Sequence, residues 1–283
     1  MKSDQPMKRM WWEVFTLSVG NTNTRLIGWR EGTAARSLAW KTGTKPPPWL
    51  AVSLQANRNA HAPVVLAGVV PAYRNELASL LLELGHETLI FRKDLKPEIE
   101  IVPRPAERVG DDRIAGALGA LALDPRKPWV IVDAGTAMTI NAVTPARRGG
   151  LPRFEGGLIV PSTVTSLVAL SEHSAQLPLV ARLPVAGLCH STFIGRSTEQ
   201  AMLLGVYHGQ IAAAVALAKG QIRQLGPRTR VVLTGRESET AGFHSGFSRT
   251  FAPRKAVFNA ELVHLGLFSA WKARRSTPSL GGV

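Results

Sequence analysis

The chain has 283 residues, 45% of them hydrophobic, enough for one large core or two of ordinary size and too many for a disordered polypeptide. Its formal charge of +14 would attract acidic ligands. The densest basic groups, Lys2/Lys8/Arg9, Lys272/Arg274/Arg275, Arg147/Arg148 and Arg228/Arg230, are scattered and not interleaved with aromatics, which argues against nucleic acid and for a solvated basic surface.

Residues 1–12 are polar and basic, lack an apolar run of signal-peptide length, and read as a loose extension. No stretch is judged long enough to span a bilayer, so no membrane partner and a cytoplasmic location are expected. Val14 to Val19 and Thr24 to Trp29 form a first hairpin around Gly20-Asn21-Thr22. Thr42 to Pro48, with three consecutive prolines, is a loop. Val64 to Val70 is a buried strand of the parallel type, and Asn75 to Leu84 a helix closed at Gly85. Short strands follow at Thr88 to Phe91 and Ile99 to Val102. A charged loop, Glu107 to Arg113, runs into an Ala/Leu/Gly-rich helix, Ile114 to Leu123.

Val130 to Asn141 repeats the grammar of the first hairpin, with an acid and a glycine, Asp133-Ala-Gly135-Thr136, at its bend. Phe154 to Pro161 is a strand whose glycine pair, Gly156-Gly157, permits close approach of a ligand or another element. Ser162 to Leu170 reads as helix and Ser174 to Pro178 as a turn. Cys189, the single cysteine, excludes an intramolecular disulfide; it and His190 point to opposite faces of an extended segment, so Cys189 reads as packing. Gly195 to Glu199 opens a long helix, Gln200 to Leu225, apolar or small nearly all round and expected to be buried, in part against another subunit. Val231 to Gly235 is a strand entering another Thr-Gly bend, Phe258 to Trp271 the last apolar helix, and Lys272 to Val283 a frayed tail. The alternation is α/β, and the recurrence of the hairpin in each half predicts two related lobes that face each other.

A glycine-threonine bend presents backbone N–H groups and a hydroxyl together, which suits a phosphate. Two such bends would grip a nucleoside triphosphate between the lobes, with metal ions offsetting its charge. Transfer to an alcohol needs a base, and Asp112, one of two carboxylates at a helix start with Arg113 beside them, is the best-placed candidate.

In these residues the chain resembles the type III pantothenate kinases, of the actin, sugar-kinase and Hsp70-like superfamily. Ser18-Val19-Gly20-Asn21-Thr22-Asn23-Thr24-Arg25 resembles the family's first phosphate motif, Gly110-Asp111-Asp112-Arg113 its pantothenate loop, and Asp133-Ala-Gly135-Thr136 its second phosphate motif. Glu155-Gly156-Gly157, Ala175 to Pro178, Gly195 to Glu199 and Val232 to Gly235 follow in the family's order. The resemblance implies a two-lobed actin-like (ribonuclease H-like) fold with duplicated βββαβα-type lobes. Its expected bounds are an extension at 1–12, an N-terminal lobe at 13–125, a C-terminal lobe at 126–271 and a tail at 272–283.

It further implies ATP-dependent phosphorylation of pantothenate to 4'-phosphopantothenate, the first step of coenzyme A synthesis, with Asp112 as general base. Ser18 to Arg25 and Thr136 would bind ATP with Mg2+, and Gly110, Asp111, Asp112 and Arg113 would hold pantothenate. Asp133 would hold a monovalent cation, K+ or NH4+, and Thr198 would reach pantothenate from the partner of a homodimer. Three positions depart from the pattern: Ser18 stands for an aspartate, Asp111 for an alanine, and Arg236 for the second glycine of Thr-Gly-Gly. Ser18 motivates the alternative, a catalytically weakened regulator of the transcription-accessory type.

Overall fold

A computed structural model describes residues 12–48, 50, 54, 62–180, 192–236, 241–251 and 256–276. The expectations for the extension at 1–11, for Cys189 and His190, and for the end of the tail lie outside them. The chain divides into two compact units, one holding residues 1–97, 110–118 and 263–283, the other 98–109 and 119–262.

The first unit is built on a five-stranded sheet of order β3-β2-β1-β4-β5, from Val14–Val19 (β1), Asn23–Arg30 (β2), Thr33–Lys41 (β3), Val64–Gly68 (β4) and Thr88–Ile90 (β5). β1 lies antiparallel to β2 and parallel to β4, and only Ser18 in it is not buried. That makes β1 the central strand, with β3 as a largely exposed edge; β3 was not anticipated, because Thr33 to Lys41 carries too few apolar residues to signal a strand. Helix α1, Pro71–Glu83, starts four residues before the expected Asn75, since Pro71 in the first turn has its φ already set for a helix. Gly85, at φ 80°, follows its end as expected. Phe15, Leu17, Leu26, Leu66, Leu77 and Leu81 fill the core between sheet and helix.

The second unit repeats the order on a six-stranded sheet, β11-β10-β7-β8-β9-β6. Its strands are Glu100–Ile101 (β6), Trp129–Ala134 (β7), Ala137–Thr144 (β8), Arg153–Pro161 (β9), Arg230–Thr234 (β10) and Ala256–Phe258 (β11). In both sheets a central strand has an antiparallel pair on one side and two parallel strands on the other, so the α/β class and the duplicated topology hold. Between β6 and β7 in sequence lies helix α2, Asp111–Leu123, which begins three residues before the expected Ile114 and takes both carboxylates into its first turn. The other helices are α3, Thr163–Glu172, capped by Ser162; α4, Thr198–Leu225; α5, Ala241–Thr250; and α6, Leu262–Ser276.

Helix α5 and strand β11 were missed, although Phe243, Phe247 and Phe251 recur every four residues and are buried in the core with Val130, Val132 and Val231. The final helix, expected from Phe258 to Trp271, starts at Leu262 because Phe258 is taken by β11; it runs on to Ser276, where Arg274 and Arg275 suit a helix C-terminus. The expectation that nothing is long enough to span a bilayer needs correction on length. Helix α4 has 28 residues and a window of mean hydropathy 1.6, sufficient by length and composition alone. Its apolarity has a local use, since Ala214 and Ala218 are buried in the core of this unit and Gln221 Nε2 donates to the Ile140 carbonyl of β8 at 2.8 Å.

Candidate active site

In the first unit the β1–β2 bend and the acid pair come together. Val19 pairs with Thr24 across the hairpin and with Gly68 in β4, and the Val69 N–H donates to the Val19 carbonyl at 3.0 Å. A Cβ on Gly68 would lie 2.8 Å from that of Val19, so this strand end tolerates only glycine. The Gly68 N–H donates to Asp111 Oδ2 at 3.3 Å, and Arg92 Nη1 lies 3.5 Å from Asp111 Oδ1. The start of α2 is thereby fastened to the end of β4, one strand from the bend. Asn21 and Thr22 of the bend are exposed, and Arg25, opposite Ser18 in the register, donates from Nε to Ser37 Oγ at 2.9 Å.

Asp112 Oδ1 accepts from the Arg113 N–H at 2.8 Å. Its pKa is raised by burial, and the charge of Asp111 adds to that, against the opposing pull of Arg113. A Cβ on Gly110 would come 2.5 Å from Asp112 Oδ1, so a larger residue there would displace that carboxylate. Asp111 is likewise raised by burial, opposed by its bond from Gly68 and by Arg92 and Arg74. Partial burial lowers the pKa of Arg113, a half-buried cation with donors to offer an anion. Arg92 and Gly68 were missed by sequence reasoning. No motif marks them, although Arg92 holds a left-handed backbone at φ 66°, unusual for a side chain of its size.

In the second unit the β7–β8 bend meets the Thr-Gly bend that follows β10. Asp133 pairs with Thr234, and Gly235, at φ 90°, packs so closely that a Cβ there would lie 2.4 Å from Asp133 Oδ1 and 2.6 Å from the Ala134 carbonyl oxygen. Thr165 Oγ1 donates to the Thr136 carbonyl at 3.1 Å, which backs the bend from the first turn of α3. Thr136 is exposed, Asp133 half-buried, and Arg236 exposed directly after Gly235. The glycine pair of β9 is explained by its neighbour strand, since a Cβ on Gly157 would lie 2.3 Å from the Ile140 carbonyl oxygen. A groove of about 610 Å³ between this strand and the C-terminal half of α4 contains none of the residues expected to bind ATP or pantothenate. Thr198 opens α4, exposed, next to the N-cap Ser197, whose side chain accepts from the Gln200 N–H at 3.2 Å.

Each unit thus offers a glycine bend at the end of its central strand, one beside a partly buried carboxyl pair, an arrangement suited to phosphate with a base nearby. Residues 14–220 match the family described as type III pantothenate kinase. The chain belongs to that family. Type III pantothenate kinases from Sphingopyxis alaskensis and Hyphomonas neptunium are both similar to it. The first is 29% identical over 236 residues, covering 78% of this chain and 86% of that protein. The second is 29% identical over 276 residues, covering 93% and 100%. Among solved structures, the activator of 2-hydroxyisocaproyl-CoA dehydratase from Clostridium difficile aligns with a TM-score of 0.52 at 11% identity over 95% of this chain and 98% of that one. A putative 2-dehydro-3-deoxygalactonokinase from Sinorhizobium meliloti aligns with a TM-score of 0.51 at 14% identity over 95% and 99%. These two likenesses concern the fold.

As a type III pantothenate kinase the chain is a phosphotransferase, and the family's activity entails pantothenate, ATP and a divalent metal. The residues fit such ligands. The Gly235 bend is packed directly against Asp133 and the Ala134 backbone. Among the described residues no group of three or more His, Cys, Asp or Glu could hold a metal.

Proposed function

We propose that the chain transfers the γ-phosphoryl group of ATP to the primary hydroxyl of pantothenate, giving 4'-phosphopantothenate, with Asp112 as the general base. The observation that carries this reading is the environment of Asp112: a carboxyl at a helix start, partly buried and beside a second carboxylate, holds a proton more tightly than a solvated one. The substrate hydroxyl gives its proton to Asp112 as its oxygen attacks the γ-phosphorus. The bond to the bridging oxygen breaks, ADP leaves, and Asp112 returns its proton to solvent.

Ser18 to Arg25 and Thr136 bind ATP in this reading, and Gly110 to Arg113 bind pantothenate. Mg2+, when bound, offsets the charge of the triphosphate, and Asp133 is the residue to hold K+ or NH4+. The protein acts in the cytoplasm as a homodimer in which Thr198 contacts the partner's pantothenate. Helix α4 supports the dimer: Ala201, Gly205, Gly209, Ala212 and Ala216 form an exposed stripe, and a Cβ on Gly205 or Gly209 would meet nothing within 4 Å. Packing within the chain therefore does not require these glycines, each of which costs a helix about 1 kcal/mol against alanine. A close-packed second copy would require them.

The test is transfer of labelled phosphate from ATP to pantothenate with Mg2+ and K+ present. Wild type should turn over, and Asp112→Asn should lose about 10²–10⁴-fold in kcat with its circular dichroism unchanged. An inactive wild type would overturn the reading. Ser18, half-buried at the end of β1, favours the second reading of a weakened regulator. Activity that rises from near zero in Ser18→Asp would support that reading, whereas an unchanged or lower rate would mark a site adapted to serine.

A further inference from the structure

The β1–β2 bend is held from behind by a residue outside every motif. Thr42, just past the end of β3, makes three hydrogen bonds to the hairpin. Its N–H donates to the Thr22 carbonyl at 3.0 Å, its hydroxyl donates to the Gly20 carbonyl at 2.8 Å, and its Oγ1 lies 2.9 Å from Thr24 Oγ1. A hydroxyl has one hydrogen, and that of Thr42 is given to Gly20, so the fully buried Thr24 is the donor to Thr42. Inside the bend, the Gly20 N–H donates to the Asn23 carbonyl at 3.0 Å. Three carbonyl groups of the bend, those of Gly20, Thr22 and Asn23, therefore have fixed directions.

In a planar trans peptide the C=O and the N–H of the next residue point opposite ways. Drawing the Gly20 carbonyl toward Thr42 turns the Asn21 N–H away from Thr42, and drawing the Thr22 carbonyl there does the same for the Asn23 N–H. A phosphate approaching the far side of the bend then meets donors instead of carbonyl oxygens. The second unit has a counterpart in the Thr165 hydroxyl on the Thr136 carbonyl.

We infer that Thr42 is a positioning residue for nucleotide binding: its hydroxyl and N–H set the orientation of the bend's amides toward the phosphates. The inference rests on the reading that residues 18–25 bind ATP. It is tested on the full chain with Thr42→Val, which keeps the shape and the N–H but loses the hydroxyl, and Thr42→Ser, which keeps both polar groups. ATP affinity is measured by calorimetry, KM for each substrate by steady-state kinetics, and folding by thermal unfolding.

Thr42→Val should weaken ATP binding and raise the KM for ATP by roughly five- to tenfold, the effect of one lost hydrogen bond. The KM for pantothenate should be unchanged, and Thr42→Ser should stay within about twofold of wild type. Equal ATP affinity in wild type and a folded Thr42→Val overturns the role of Thr42 alone. So does a uniform loss toward both substrates that Thr42→Ser fails to rescue, since that marks a merely structural residue. A wild type that binds no ATP overturns the phosphate reading itself and this inference with it.

Discussion

Asp112 is partly buried, at a cost in desolvation of its charge. Its pKa in the folded chain lies above the ordinary 3.8, so the folded state holds the proton more tightly than the unfolded state does. The stability it contributes is present below the unfolded value and declines as pH rises through the folded one, so at pH 7 the ionised group opposes folding. Asp112→Asn should therefore melt at a higher temperature than wild type at pH 7 while losing activity, a trade expected of functional groups. A lower melting temperature for the variant would show that the carboxylate is well compensated. Asp111 affects the same proton, because its charge adds to the raised pKa of its neighbour. Asp111→Asn should move the acidic limb of the kcat/KM profile for pantothenate to lower pH, and a profile that does not move would show the two carboxyls to be uncoupled. The pair was legible in the sequence; its partners Gly68 and Arg92, 43 and 19 residues away, were not, because tertiary contact brings them to it.

The hairpins were legible because alternating strands flanking a glycine bend are local signals. Helix α5 and strand β11 were missed: α5 is rich in Gly, Ser and Thr, and its two phenylalanines, with Phe251 just beyond it, act as a core face only once the sheet is beneath them. Helix α4 shows the limit of composition in the other direction, since it passes for a membrane span by length and apolarity. Only the fold distinguishes the buried side, with Ala214, Ala218 and Gln221, from the exposed stripe of Ala201, Gly205, Gly209, Ala212 and Ala216. Gly209→Leu should raise the intrinsic helix propensity by roughly 1 kcal/mol yet disrupt the close helix pairing of the proposed homodimer. Sedimentation should then show a folded monomer with reduced kinase activity. A variant that remains a full dimer would remove this face from the interface.

In the molecule as a whole, the last helix returns to the first unit. Thr16 Oγ1 of β1 accepts from Trp29 Nε1 at 2.9 Å and lies 2.9 Å from His264 Nδ1 of α6, while Trp29 stacks on Phe268 with ring centroids 4.4 Å apart. Burial, with the charge of Arg25, lowers the His264 pKa from 6.5 to about 3. The unfolded chain takes up this proton as pH falls below 6.5 and the folded chain does not until near 3, so stability declines across that window. The slope is about 1.4 kcal/mol per pH unit. In urea titrations wild type should lose roughly 2 kcal/mol more than His264→Gln between about pH 6.5 and 4.5. Parallel losses would mean that the imidazole titrates as in water. By itself, the sequence determined what short-range chemistry encodes: the two glycine bends, the acid pair, the α/β alternation, and through these the family. The tertiary structure alone decided which residues support the site, Thr42 and Thr165 behind the bends and Gly68 and Arg92 on Asp111. It also decided that His264 closes on β1, because hydrogen bonding and burial depend on neighbours that folding brings from distant parts of the chain.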